Sequence, residues 1–258
     1  MERLSNRRKP AGINGDALRN WGLVFLIFGV IGRGVLQTHY LGMEGANGQQ
    51  LLEIMSASDL NMNLITTSLL FQAVETCAVP IFALLLVNGV MHTRDLKAYF
   101  LRVAGTALAA EIPYNLAMNG KLLAFSSRNP VFGVLLSMIM LYFYGRYAER
   151  GFQNVLVKIL VTAAAVVWCQ MLKIDSGVPM VLMVCVLWAF RTKPLYRNFA
   201  GATAAIVCSV ISPFFAAAPM GFLAVHLYNG EACTRSRTFH YSAYPAILLA
   251  AGLVGLVI

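Results

Sequence analysis

Three pairs of polar residues interrupt apolar stretches of this chain at helical spacing: Arg33 with Gln37, Gln72 with Glu75, and Glu111 with Asn115. Residues three or four apart share one face of a helix. Glu111 stands out, because AAEIPYNLAMNG (residues 109–120) sets a carboxylate at the end of a long apolar run. An ionised side chain in hydrocarbon costs at least about 2.5 to 3.5 kcal/mol, so each such group needs a partner, a proton or a chemical task. A buried carboxylate beside an amide and a guanidinium suits general-base chemistry. The carboxylate takes a proton from an attacking amine or hydroxyl, and the cation stabilises the oxyanion of a tetrahedral intermediate. Two carboxylates facing one arginine also leave an excess negative charge, which invites a cationic or proton-donating ligand. The plainer alternative is that Arg33 neutralises Glu75 or Glu111 in a buried ion pair that fixes helix register without chemistry.

The elements that carry these residues read as membrane helices. Of the 258 residues, 59% are hydrophobic and 12% charged, where a soluble domain carries about 25% charged residues. Apolar runs near the roughly 20 residues needed to cross a bilayer fall at about 20–38, 68–91, 97–118, 130–147, 154–172, 177–190, 198–213, 214–229 and 240–258. The fold class expected is therefore an all-α polytopic membrane protein of about nine transmembrane helices, with eight to ten as the range, forming a single domain over 1–258. The region 198–229, broken by Ser212-Pro213 and Pro219, is the one span pair that could be re-entrant.

The net charge of +9 is spread through short clusters between the runs, which argues against a nucleic-acid surface and for a topology signal. With the N-terminus in the cytoplasm, inside segments collect sixteen Lys and Arg, including Arg3, Arg7, Arg8, Lys9 and Arg19 in the basic segment 1–19, and Arg150, Arg235 and Arg237 further on. Outside lie only Lys121, Arg128 and Lys173. The C-terminus then falls outside. The external loop 39–62 has acidic residues, Glu44 among them, and no Lys or Arg; Leu51, Leu52, Ile54 and Met55 give it a short amphipathic helix. No cleavage site follows the first apolar run, so it reads as a retained span rather than a leader. The five cysteines are scattered, which gives neither a metal site nor a disulfide framework.

In this topology all three pairs lie in the outer half of the membrane, with Arg128 and Asn129 at the start of the fourth span and Lys173 and Asp175 after the fifth. The expectation is a charged cavity open to the outer face. Glu111 is its preferred base, oriented by Asn115, with Arg33 or Arg128 at the oxyanion and Glu75 as the second carboxylate. Gln37, Gln72, Arg128, Asn129, Lys173 and Asp175 form its substrate-binding wall. At the inner side, Asn88 and His92 are four apart, Arg94 and Asp95 follow, and His226, Tyr228 and Asn229 close the eighth span, with Asn229-Gly230 as a helix stop.

Several segments in order carry a family resemblance: AVPIFALLLVNGVMHTRDLKAYFLR (78–102), AAEIPYNLA (109–117), NPVFGVLLSM (129–138), KIDSGVPMVLMV (173–184) and LYNGEACTRSRTFHYSAYPAILL (227–249). Together they resemble the TraX family, whose best-known member is a conjugal-transfer inner-membrane protein that N-acetylates pilin. The family pattern falls on Pro80, Phe82, Gly89, His92 and Thr93; on Glu111, Ile112 and Pro113; on Asn129 to Phe132; on Asp175 and Gly177; and on Tyr228 to Gly230 and Tyr244-Pro245. The resemblance implies a transmembrane acyltransferase-like bundle in a bacterial inner membrane and acetyl-CoA as donor. The donor would dock from the cytoplasm near His92, Arg94, Tyr228 and Asn229, with Arg94 and Lys97 or Arg235 and Arg237 as its cations. The acyl acceptor is a protein, peptide or glycan, and membrane lipids are the other partner.

The chain departs from the family at three places. Gly29 to Gly32 stand where members carry Asp-His-Ile-Gly, Ala246-Ile247 replaces a histidine after Tyr-Pro, and Thr76 replaces an arginine. Histidine is the usual base at neutral pH, so its loss leaves Glu111 either as the surviving acid-base group or as only a structural partner of Arg33. A second reading is a catalytically silent relative that binds or moves a small polar ligand through the same cavity.

Overall fold

The computed structural model of the protein describes residues 12–43, 48–149, 151–231, 233 and 237–257. The basic residues Arg3, Arg7, Arg8 and Lys9, with Glu44, Arg150, Arg235 and the side chain of Arg237, lie outside what is described. Among the described residues there are two isolated bridges and no strand.

Helix α1 (Gly15–Gly29) begins at Asn14, whose side chain accepts from the Ala17 amide, and runs straight into a π-helical segment, Val30–Tyr40. Then come α2 (Gly48–Ala57), which carries the amphipathic residues of the 39–62 loop, and α3 (Asp59–Glu75), capped by Ser58. After a two-residue break, α4 (Ala78–His92) follows. Asp95 caps α5 (Leu96–Asn119), satisfying the Ala98 N–H that the first turn leaves unpaired. The remaining elements are α6 (Val131–Arg146), α7 (Phe152–Met171), α8 (Gly177–Ala189), α9 (Pro194–Cys208), a 3₁₀ segment (Pro213–Met220), α10 (Gly221–His226) and α11 (Arg237–Gly255).

The break between α3 and α4 is a proline effect. Pro80 offers no N–H to the Thr76 carbonyl and its ring crowds that oxygen, so Thr76 O is taken by the Val79 amide at 3.2 Å instead. The Thr76 hydroxyl steadies the bend, its single proton shared between Ala73 O at 2.7 Å and Phe214 O at 3.1 Å. The sequence places one span over 68–91; the chain instead builds a bent helical rod from Asp59 to His92. Asn229-Gly230 also differs from the expected helix stop. The last turn of α10 ends at His226, and Tyr228 and Asn229 pair with Ile13 as a short parallel bridge, with Asn229 N donating to Ile13 O at 3.0 Å.

Helix α8 occupies the centre, packed against α4, α6, α7 and α9, and its Val181, Met183, Val184 and Leu187 are fully buried. A second cluster, Val30, Ala110, Tyr114, Ala117, Met118 and Leu248, joins the π-helical segment to α5 and α11. Among the described residues three helical stretches are long and apolar enough to cross a membrane: Gly15–Tyr40, Asp59–His92 and Phe152–Met171. Shorter apolar helices run over Val131–Arg146, Gly177–Ala189, Pro213–His226 and Tyr241–Gly255. By length and apolarity, three stretches rather than nine qualify on their own. Helix α7 buries only Ala165 and Cys169 and exposes Ile159, Leu160, Val167 and Trp168, an apolar surface whose natural solvent is lipid.

One close approach is decisive for the bend. A Cβ on Gly221 would strike the Cys77 carbonyl oxygen, which is backbone and cannot rotate away, and would press Pro80 Cγ at 2.8 Å. Gly221→Ala is therefore expected to destabilise the fold by about 2 kcal/mol, read as a lower thermal unfolding midpoint in detergent. An unchanged midpoint would show that α10 can shift away from the α3–α4 break at no cost.

Candidate functional site

A cavity of about 320 Å³ lies at the bend between α3 and α4. Its walls come from α1 and the π-helical segment (Leu26, Arg33), the end of α3 (Gln72, Glu75), the residues joining α7 to α8 (Lys173 to Ser176) and the stretch Ile211 to Phe215. The proline-driven break opens it, because it lets the 3₁₀ segment pack against α3 and α4.

Arg33 projects from the π-helical segment, whose wider turn is often found at functional positions. Its Nη1 donates to Asp175 Oδ2 at 2.5 Å, and both side chains remain about 32% exposed. The same carboxylate oxygen accepts from the Tyr114 hydroxyl at 3.0 Å, while Tyr114 and Ser127 are 3.1 Å apart. Since the phenol proton goes to Asp175, Ser127 is the donor in that second bond. Asp175 is set by its backbone: Arg128 N donates to Lys173 O and Asp175 N donates to Arg128 O, each at 2.9 Å. On either side of it Lys173 and Ser176 both take φ of 51°, the left-handed region that costs a non-glycine residue energy.

Glu75 faces this pair. Its carboxylate lines the cavity and makes no hydrogen bond or ion pair among the described residues. Space for it is supplied by Gly29, where any Cβ would overlap the carboxylate itself. Neighbouring Gln72 turns its amide nitrogen back to Ser68 Oγ at 3.2 Å. Arg33, Asp175 and Glu75 thus leave one carboxylate in the cavity without a direct partner.

Glu111 is held elsewhere. It lies outside the cavity wall, and its carboxylate accepts from Arg128 Nη1 at 2.7 Å and from Asn129 Nδ2 at 2.6 Å. Asn129 is fully buried, also donates to Ala107 O at 3.0 Å, and accepts from Val131 N at 3.0 Å. Asn115, expected to orient Glu111, accepts instead from Asn119 Nδ2 at 3.2 Å. Gln37 lies outside the cavity lining. Arg33 thus neutralises neither Glu75 nor Glu111 by direct contact: Arg33 pairs with Asp175 and Arg128 with Glu111, and these two pairs meet through the backbone of Arg128.

The expected donor-side residues gather at the other end of α4, about 20 Å along the helix from Val79. His92 Nδ1 bonds Asn88 O at 2.9 Å and is exposed, as is Arg94. Tyr228 donates to Glu231 O at 3.1 Å, and Asn229 Oδ1 accepts from Glu231 N at 2.9 Å. Arg19 is 4% exposed and leaves Nε and Nη1 without a hydrogen bond, with Asp16 Oδ1 at 3.5 Å; Arg102 leaves its Nε likewise. Among the described residues no group of three His, Cys, Asp or Glu could hold a metal ion.

A family model described as TraX protein matches residues 52–255. The chain belongs to the TraX family. No curated protein and no solved structure matches it. The TraX match takes in Glu75, Glu111, Arg128 and Asp175, while Arg33, which completes the cavity, comes from α1 and its π-helical extension ahead of the matched region. Of the residues singled out by sequence, the cavity brings together Arg33, Gln72, Glu75, Lys173 and Asp175. Tyr114 and Ser127 were not singled out. The signal for Tyr114 was its place three residues after Glu111 in a helix already carrying two polar groups.

Proposed function

We propose that this TraX-family chain is an integral-membrane acyltransferase that moves an acetyl group from acetyl-CoA to an amine or hydroxyl of a surface protein, peptide or glycan. The observation that carries this reading is the Glu75 carboxylate, without an ion pair or hydrogen bond among the described residues, facing a fixed Arg33 guanidinium in a cavity. Glu75 takes the proton of the attacking group, a role that needs a carboxylate not already spent on a cation. Arg33, oriented by Asp175 and through it by Tyr114, has further N–H groups for the oxyanion. Glu111 and Arg128 hold the loop from which Asp175 is aligned.

The donor supplies an activated thioester when bound. The exposed Arg94 guanidinium, just after α4, is a cation for its phosphates. In this reading the shorter apolar helices cross where the bundle pinches the bilayer, for about nine crossings of a bacterial inner membrane. The N-terminus is cytoplasmic and the C-terminus extracytoplasmic.

The test is transfer of labelled acetyl from acetyl-CoA to a small primary amine or a hydroxylated glycan by the purified protein in vesicles. Glu75→Gln should lower turnover by about 100-fold or more. No donor binding at saturating acetyl-CoA would sink the enzyme, and full turnover in Glu75→Gln would sink this base.

A second reading is favoured by one observation: both the Thr76–Cys77 break and the Pro213–Met220 segment border the cavity. Interrupted helices at a polar site are the construction that transporters use. Vesicle uptake of a cationic solute that needs Glu75, with no acetyl transfer, would establish it.

A further inference from the structure

Away from the cavity, the start of α5 and the end of α6 enclose a groove of about 340 Å³ lined by Leu96, Lys97, Phe100, Met138, Ile139 and Tyr142. The two helices are antiparallel, since Glu111 late in α5 meets Asn129 just ahead of α6, so the groove's Tyr142 end points toward Arg146. Ile139 and Tyr142 are 41% and 57% exposed, so the groove opens on the outer surface of the bundle. Among the described residues Lys97 is its only charged lining residue, and it is exposed. Arg146, one turn beyond Tyr142 on the same face of α6, is exposed as well. The acid beside them, Asp95, spends an oxygen on the Ala98 amide as the cap of α5. An apolar slot ending at two cations and a phenol is complementary to an amphiphile with an anionic head.

We propose that this groove holds an acyl chain of one anionic phospholipid, with its phosphate against Lys97 and Arg146. The apolar wall gives the chain a fixed seat, and the two cations select the headgroup by charge, each favouring an anionic lipid. The groove shares no lining residue with the cavity, so the proposal does not rest on the chemistry at Glu75 and Arg33, although Lys97 is also one of the cations expected at the donor.

Native mass spectrometry of the full chain in detergent, given equimolar phosphatidylglycerol and phosphatidylcholine of matched chains, tests it. One phosphatidylglycerol should be retained in preference to phosphatidylcholine. Lys97→Gln and Arg146→Gln should each cut that preference roughly fivefold, while Lys97→Arg keeps it. Ile139→Trp, which fills the groove, should release the lipid; because Ile139 and both cations are exposed, unfolding midpoints without added lipid should stay at the wild-type value. Equal retention of the two lipids overturns the proposal, as does preference unchanged in the two Gln variants, or retention unchanged in Ile139→Trp. Displacement by inorganic phosphate alone, with the Trp variant behaving as wild type, overturns it in favour of a bare anion site.

Discussion

Arg33→Gln is expected to lower stability by about 3 kcal/mol and, under the proposed function, to abolish acetyl transfer. Among the described residues the arginine is the only cation in direct contact with Asp175, and Glu75 lines the same cavity without an ion pair. Removing one member of a partly buried pair leaves the other charge desolvated and unpaired, which costs more than the pair itself contributes. Here two carboxylates are left instead of one. The exposure of both side chains at the cavity keeps the cost at the low end of the usual 3 to 5 kcal/mol for a fully buried pair. Thermal unfolding in detergent reads it directly. A double-mutant cycle with Asp175→Asn separates the pair from its surroundings: if the contact carries the effect, the double variant should be more stable than Arg33→Gln alone. A double variant as unstable as the sum of the singles would locate the loss in the π-helical segment. Arg33→Lys should recover part of the stability but little turnover, because an ammonium cannot hold Asp175 and present further donors in the same plane.

How far these pairs were legible follows from how each is built. Helix positions were readable because apolar runs and caps are local: Asp95 ahead of α5, the amphipathic α2 and the start of α8 at Gly177 all sit where the residues put them. Spacing also showed that Gln72 and Glu75 share a face. It could not show which cation each carboxylate meets. Arg33 and Asp175 are 142 residues apart, and their contact depends on two loops joined by backbone bonds through Arg128, which leave no periodic trace. Glu111 misled for the same reason. A carboxylate at the end of an apolar run signals a need for a partner, and Arg128 with Asn129, seventeen and eighteen residues on, satisfy that need across a turn. The helix break was partly hidden as well: Pro80 was visible, but a proline inside a helix can kink it or end it. Pro113 stays within α5, while Pro80 leaves Thr76 to be held by Phe214 from a distant segment. Crossing number is harder still, since a helix of fifteen residues spans only about 22 Å and its depth is set by its neighbours.

Glu111→Ala should cost about 3 kcal/mol, the second large effect, and should do so without the specific loss of chemistry expected at Glu75. Three donors converge on this carboxylate: Arg128 Nη1, Asn129 Nδ2 and, at 3.4 Å, Asn129 N. Asn129 is fully buried, so its amide has no water to turn to once the acceptor is gone. Arg128 is better placed, about one-third exposed and lying over the Phe125 ring at 5.1 Å, and it relaxes outward at lower cost. Glu111→Gln separates charge from hydrogen bonding. Its amide oxygen can still accept from Asn129, so most of the stability should remain, while Arg128 loses its counter-ion. Because the Arg128 backbone aligns Asp175, and Asp175 aligns Arg33, a mild fall in turnover with an unchanged pH profile is the expected signature of a positioning role. Under the proposed function, a Glu111→Gln variant that folds as wild type and loses turnover as completely as Glu75→Gln would return the base to Glu111 and leave Glu75 as a ligand-holding charge.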